Sequence, residues 1–143
     1  MRKTAGLLVI SVFLLWGCGA GIPEDEVLIS VIEKNLQMSR DEDADGFLAT
    51  IHEEAAGYST IKQGLEQMFD AYDFNYELKE SDVLEKSRDE ARVHFIQITK
   101  KVSGPEFQDN ELEGIHTLKR SKGEWKILNT EVTNVRFLKD TKD

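Results

Sequence analysis

The sequence predicts an α+β domain in which three helices precede an antiparallel β-sheet. Apolar residues recur at helical intervals as far as Tyr72, whereas from Phe74 onward they alternate with polar residues. Clusters of turn-forming residues separate the alternating segments that follow. A run of helices followed by a run of strands is typical of helices packed on one face of an antiparallel sheet. With 143 residues, the chain has room for one such domain.

Three segments carry the helical pattern. Pro23 and the acids after it make a favourable first turn for a helix that we expect to end near Arg40. A second helix is predicted over residues 44–54, with Gly57 as its stop signal, and a third from Ser59 or Thr60. The first helix has a broad apolar stripe: Val27, Leu28, Val31, Ile32 and Leu36. Such a stripe is typical of a helix enclosed by other elements.

Four strands are predicted after the helices. They begin at Phe74 and then cover residues 91–102, 111–120 and 125–135. The last two form a hairpin closed by residues 121–124, in which we expect Gly123 to take the left-handed backbone conformation. The large aromatic residues of these strands are interpreted as core: Tyr76, Phe95 and Trp125.

The first residues have the pattern of an export signal. Arg2 and Lys3 precede an uncharged apolar run, which ends in small residues around Cys18. Residues 15–18, LWGC, resemble the lipobox of bacterial lipoproteins, in which the cysteine is lipidated and becomes the mature amino terminus. We therefore expect a signal peptide at residues 1–17, a lipidated cysteine and short tether at 18–24, one domain at 25–138 and a polar tail at 139–143. An uncleaved anchor helix is the alternative, although the glycines near Cys18 weaken it.

Cys18 is the only cysteine, so no disulfide within the chain can form. The resemblance to lipoproteins implies that its sulfur carries fatty acyl chains, palmitate among them, and that two or more chains anchor the protein stably. The protein would then be held on the extracytoplasmic side of the cell membrane by the lipid on Cys18. If the host has two membranes, Gly19 in place of an aspartate resembles cargo sent to the outer one.

The charge balance excludes one class of partner. The chain has 18 Lys and Arg residues against 27 Asp and Glu residues, a net charge of −9. Loss of Arg2 and Lys3 with the leader changes this to −11, since the leader carries no acid. Nucleic-acid binding needs clustered basic residues that displace counterions from phosphates, and the chain lacks such clusters. We expect no nucleic-acid partner.

An acidic loop between the first two helices has part of a calcium-binding pattern. Asp41, Asp43, Asp45 and Gly46 match positions 1, 3, 5 and 6 of the EF-hand loop. Position 12 should be a bidentate Glu but is His52, a poor ligand for a cation that prefers oxygen. We therefore interpret Asp43 as the cap of the second helix, with the other acids favouring its positive end. No metal site is predicted.

Two longer stretches resemble the nuclear transport factor 2-like superfamily, which includes ketosteroid isomerases and polyketide cyclases. The long first helix followed by residues 40–52, RDEDADGFLATIH, looks like its first two helices, and residues 116–127, HTLKRSKGEWKI, are similar to its closing hairpin. The resemblance covers nearly all of residues 25–138. It implies a cone, in which a strongly bent antiparallel sheet wraps around the first helix, often with a pocket and often with a homodimer formed through the sheet face.

The same resemblance allows two functions, because the superfamily contains both enzymes and binding modules. The first helix has no Tyr between residues 23 and 40, so the isomerase-type oxyanion device is not carried over. A non-enzymatic module that binds a small apolar ligand or an envelope protein is therefore favoured, and no cofactor is predicted. The alternative is a small-molecule isomerase, cyclase or dehydratase that uses His116 in a cone pocket.

His116 is the candidate catalytic base because it shares a strand face with Leu112, Gly114 and Leu118 and should point into the cone. Glu113 or Glu131 could partner it only if strand bulges bring them to that face. Another strand histidine, His94, lies on a mixed face with Arg92, Ile96 and Ile98. We interpret that face as a contact with solvent or with a dimer partner.

Overall fold

A computed structural model describes residues 21–139 of the chain. The leader, Cys18 and residues 140–143 lie outside the described residues, so cleavage and lipidation stay predictions. The described part has three helices followed by four strands, which confirms the predicted α+β class. The elements are α1 Asp25–Arg40, α2 Ala44–Ala49, α3 Tyr58–Ala71, β1 Asp73–Lys86, β2 Glu90–Ser103, β3 Asn110–Ser121 and β4 Glu124–Phe137.

The four strands form one antiparallel sheet in the order β1-β2-β3-β4. Register shifts interrupt the β1–β2 and β3–β4 pairings, and such bulges bend and twist strands. The curved sheet wraps around α1, which contacts β1, β2 and β4. A two-residue turn joins β3 to β4, with φ of 49° at Lys122 and 84° at Gly123. Two positive φ angles are typical of a type I′ hairpin turn, and the predicted role of Gly123 is confirmed.

Helix α1 begins and ends where the sequence predicts. Asp25 and Glu26 lie in its first turn and Arg40 in its last, which complements the helix dipole at both ends. Leu28, Ile32, Leu36 and Ser39 are buried at helical spacing. Val27 is 46% exposed, so the buried stripe is narrower than the apolar pattern suggests. The sheet therefore covers one side of α1 and leaves the other open.

Helix α2 is shorter than predicted. It ends at Ala49 instead of continuing to residue 54, because the chain then runs beside β4. The His52 amide donates to the Ile127 carbonyl over 2.8 Å, and the Ile127 amide donates to the Thr50 carbonyl over 2.8 Å. These bonds satisfy backbone groups that a longer helix would have paired internally.

The start of α2 confirms the interpretation of the acidic loop. Asp43 Oδ1 accepts a hydrogen bond from the Gly46 amide over 2.8 Å, which caps the helix. His52 is buried, and its Nδ1 accepts a hydrogen bond from the Glu54 amide, so it does not face the loop. The loop is a helix start, as predicted.

The hydrophobic core lies between α1 and the inner face of the sheet. Leu28, Val93 and Leu118 are completely buried, and each contributes about 1.5–3 kcal/mol of transfer free energy. Trp125 and Phe95 are buried as predicted, whereas Tyr76 is only half-buried because it borders a cavity. Helix α3 has no buried residue and lies over the open end of the cone.

Strand β1 continues well beyond the alternating segment that predicted it. Leu78 and the residues before it alternate in burial, but a register shift between Leu78 and Glu80 reverses the alternation. Ser81 and Val83 then face inward, while Glu80 and Asp82 face outward. A strict period of two cannot predict this strand across its bulge.

None of the helices within residues 21–139 is both long enough and apolar enough to cross a membrane.

Candidate functional site

A cavity of about 290 Å³ lies at the open end of the cone, bordered by α1, α3 and the inner face of the sheet. Most of its lining is apolar: Ile32, Leu36, Phe47, Ile51, Leu65, Met68, Phe95, Leu112, Ile127 and Val132. The polar lining consists of Asn35, Ser39, Tyr76, Gln97, His116 and Thr130. Small-molecule sites in proteins are commonly concave and apolar, with a few placed polar groups that orient the ligand.

No Asp, Glu, Lys or Arg side chain belongs to the lining among the described residues. The phenol of Tyr76 is also uncharged at neutral pH, because burial, and then the negative charge of Glu42, raise its pKa above the usual range. A buried ionic ligand would find no opposite charge here to offset its desolvation. The cavity is therefore suited to a neutral molecule.

His116 points into the cone from β3, as its strand face predicted. Its Nδ1 lies 2.8 Å from Thr130 Oγ1, and its ring stacks on Phe95 with the ring centroids 4.1 Å apart. Only 8% of the residue is exposed, and burial lowers the pKa of the imidazole to about 4. His116 is therefore neutral at pH 7 and serves as a hydrogen-bonding group.

The absence of a side chain at Gly114 leaves room for Phe95 to stack on His116. Gly114 pairs with Phe95 across β2 and β3. A Cβ at position 114 would lie 2.9 Å from Phe95 Cε1 and 2.6 Å from the Glu131 carbonyl oxygen. Distances under 3.0 Å between such atoms require a shift, so the missing side chain leaves the space that the Phe95 ring occupies.

Neither predicted carboxylate partner reaches His116. The β3–β4 pairing does have a bulge at Glu113, but the Glu113 side chain lies on the outer face, where its Oε1 is 2.8 Å from His94 Nε2. Glu131 is exposed on β4. Among the described residues that line the cavity, none therefore places a carboxylate beside the His116 ring.

Asn35 is a polar residue of the cavity lining that the sequence analysis did not predict. Asn35 on α1 donates from Nδ2 to Thr50 Oγ1 over 2.7 Å, and Thr50 donates in turn to the Phe47 carbonyl. An Asn among apolar residues of a helix stripe is a usable signal, since a buried amide needs partners. Asn35 and His116 thus give the cavity hydrogen-bonding groups from both α1 and the sheet.

His94 lies on the outer face of the sheet, as predicted, and its side chain is 20% exposed. The homodimer predicted through this sheet face stays a prediction.

Comparison with known proteins places the domain in a family. A sequence profile of the C-terminal domain of anti-sigma-I factor RsgI9 matches residues 30–138. The chain belongs to this family. A curated relative, anti-sigma-I factor RsgI9 of Acetivibrio thermocellus, is 30% identical over 101 residues. The match covers 71% of this chain and 14% of that protein. The shared region is therefore one domain, and the relative is a much longer polypeptide.

Solved structures similar to this RsgI9 C-terminal domain confirm the cone. A nuclear transport factor 2-like protein of unknown function from Pseudomonas putida has a TM-score of 0.64 and 18% identity, covering 83% of this chain and 96% of its own. A ketosteroid isomerase-like protein from Erwinia carotovora has a TM-score of 0.58 and 19% identity, with coverages of 78% and 97%. At such identities the likeness establishes the fold alone.

Proposed function

We propose that this RsgI9-type domain is a non-enzymatic binding module that holds a small, neutral, largely apolar ligand in the cavity of the cone. The observation that carries the proposal is the lining, which is apolar, uncharged and provided with hydrogen-bonding groups on opposite sides. The cavity suits a small molecule better than an envelope protein, which is the other partner expected from the sequence.

The state of His116 favours binding over catalysis. A general base works best when its pKa lies near the working pH, whereas burial holds the pKa of His116 at about 4. The ring is also stacked on Phe95 and bonded to Thr130 through Nδ1, which fixes its orientation. These features suit a rigid hydrogen-bonding group that meets a carbonyl or hydroxyl of a ligand.

The RsgI9 relative carries the matching domain at one end of a much longer protein. The relative is named for opposing a sigma factor, and its matched region is described as the C-terminal domain. Sigma-factor inhibition belongs to the whole relative, of which the matched region is 14%.

We also propose that the module is tethered outside the cytoplasm by lipid on Cys18, on the basis of the leader pattern. The test is to compare the wild type with Cys18→Ala in the native host by fractionation and intact-mass spectrometry. We expect the wild type to start at residue 18 with added acyl mass and to sediment with membranes. An unmodified wild-type chain that keeps its initiator Met would contradict the tether.

Ligand binding can be tested with N-phenyl-1-naphthylamine, a neutral apolar dye that becomes fluorescent in dry surroundings. We expect saturable binding of one dye per chain to the wild type. Leu65 on α3 lines the cavity, so Leu65→Trp should fill it and weaken binding at least fivefold. Gln67 is exposed on the same helix, and Gln67→Trp is the matched control that should bind as the wild type does.

Two results would contradict the cavity proposal. One is the absence of saturable binding to the folded wild type. The other is an equal loss of binding in Leu65→Trp and Gln67→Trp, because an effect shared with an exposed position cannot come from filling the cavity. Far-ultraviolet circular dichroism of each variant shows whether the fold is kept.

A further inference from the structure

A second group of chemically active side chains lies on the outer face of the sheet, away from the cavity. Glu80 and Asp82 on β1 and His94 on β2 each offer a donor atom, and these three atoms lie within 4.8 Å of one another. On the other side of His94, Glu113 on β3 places Oε1 2.8 Å from Nε2. We call these four residues the outer-face cluster.

The backbone brings the cluster together through strand pairing. Asp82 is the direct cross-strand partner of His94, and Glu80 lies two residues away on the same face. The bulge between Leu78 and Glu80 turns both acids outward, since regular alternation from Leu78 would have pointed them into the core. Bulges commonly re-aim side chains next to functional sites. The donors are therefore held by a sheet and not by a mobile loop.

The cluster lacks a compensating basic side chain within the described part of the chain. Glu80 and Asp82 take part in none of the ion pairs there, and Glu113 contacts only His94. Two basic residues that neighbour the cluster in sequence are engaged elsewhere, Lys79 with Glu111 and Arg92 with Glu85. The carboxylates of Glu80 and Asp82 lie within 4.8 Å of each other, and like charges so close favour a cation between them.

We propose that Glu80, Asp82 and His94 of the outer-face cluster bind a divalent first-row transition-metal ion of the Zn²⁺ class. Donors bonded to one such ion at about 2.1 Å lie within roughly 4 Å of one another, and the three donor atoms of Glu80, Asp82 and His94 lie within 4.8 Å. The Glu113 carboxylate, 2.8 Å from His94 Nε2, is placed to orient the imidazole, as carboxylates beside metal-binding histidines commonly do. A mixed set of one imidazole nitrogen and carboxylate oxygens suits zinc, whereas Ca²⁺ and Mg²⁺ prefer oxygen alone.

The site is independent of the proposed ligand cavity. Its residues face outward from β1, β2 and β3, and none of them belongs to the cavity lining. Metal on this face would cross-link strands β1 and β2 of the folded sheet and would stabilise the native state by mass action. Failure of the metal proposal would leave the cavity proposal intact, and the reverse also holds.

The test is calorimetric titration of Zn²⁺ into the full chain carrying Cys18→Ala, so that the single thiol does not compete for the metal. We expect one Zn²⁺ per chain. His94→Gln keeps His52 and His116 but removes the imidazole of the site, and should weaken binding at least tenfold, as should Asp82→Asn. Asp70→Asn, an exposed acid on α3, is the matched control and should change nothing.

Three outcomes would overturn the proposal. They are the absence of stoichiometric Zn²⁺ binding to the folded chain, binding that survives unchanged in His94→Gln, and displacement of Zn²⁺ by millimolar Mg²⁺ or Ca²⁺. His94→Gln and Asp82→Asn change outer-face residues of the sheet, and Asp70→Asn changes an exposed helix residue, so circular dichroism should show the same fold for each. A loss of fold in one variant leaves the other variant and the wild-type stoichiometry to decide.

Discussion

The pH dependence of stability should report the burial of His116 directly. In the folded protein burial lowers the pKa of this imidazole to about 4, from the ordinary value of 6.5 that it has in an unfolded chain. Its ring contacts Phe95 and Thr130, and no charged side chain lines the cavity around it among the described residues. Desolvation of the charged form is therefore the cause of the shift.

The sign and size of the effect follow from proton linkage. Between pH 6.5 and 4 the unfolded chain binds a proton at this position and the folded protein does not, so the free energy of unfolding falls as the pH falls. Above about pH 6.5 the imidazole is neutral in both states, so the free energy of unfolding is not reduced by this residue. At about 1.4 kcal/mol per pH unit, lowering the pH from 7.5 to 5.0 removes about 2 kcal/mol through this one residue.

The assay is urea unfolding of the wild type and His116→Gln at pH 7.5 and pH 5.0. Gln keeps a polar side chain beside Thr130 but does not titrate, so the wild type should lose about 2 kcal/mol more than the variant over this interval. Other titrating groups are common to both proteins and cancel in the comparison. Equal losses of unfolding free energy in the two proteins would contradict a lowered pKa for His116. A His116 ring that titrates near pH 6.5 by nuclear magnetic resonance would contradict it too.

Three smaller changes test the local structure by urea unfolding. Asp43→Ala should cost about 1 kcal/mol by removing the α2 cap, whereas Asp43→Asn should cost almost nothing because Asn caps well; equal costs would contradict the capping role. Gly114→Ala should destabilise by about 1–3 kcal/mol, since its Cβ would press on Phe95 and on the Glu131 carbonyl. Gly64→Ala on α3 has open space around it and should stabilise by about 0.5–1 kcal/mol, so a loss there would argue against an ordinary helical position.

The elements that the sequence predicts best are those fixed by local pattern. Helix α1 has a regular apolar stripe and acids at its start, and the β3–β4 hairpin has a glycine at its turn. The length of α2 could not be predicted, because Ile51 is apolar and buried whether the chain is helical or paired with Ile127. Strand β1 was only partly predicted, since the bulge after Leu78 breaks its alternation.

The candidate site was predictable in part for the same reason. The inward direction of His116 follows from its neighbours on one strand face, and the structure confirms it. Its partner Thr130 and the facing Asn35 depend on how β4 and α1 approach β3, which no local pattern encodes. The outer-face cluster was missed because the sequence interval between Asp82 and His94 matches no metal-binding motif, while strand pairing places them opposite each other.

Native mass spectrometry of the protein isolated from its host membranes tests the binding claim most directly. We expect a non-covalent small molecule, one per chain, that leaves on collisional activation and is neutral and largely apolar. The same preparation of Leu65→Trp should lack it, and Gln67→Trp should keep it. A wild-type chain that carries no such molecule and takes none up from host extract would contradict the proposal that the cavity holds a small ligand.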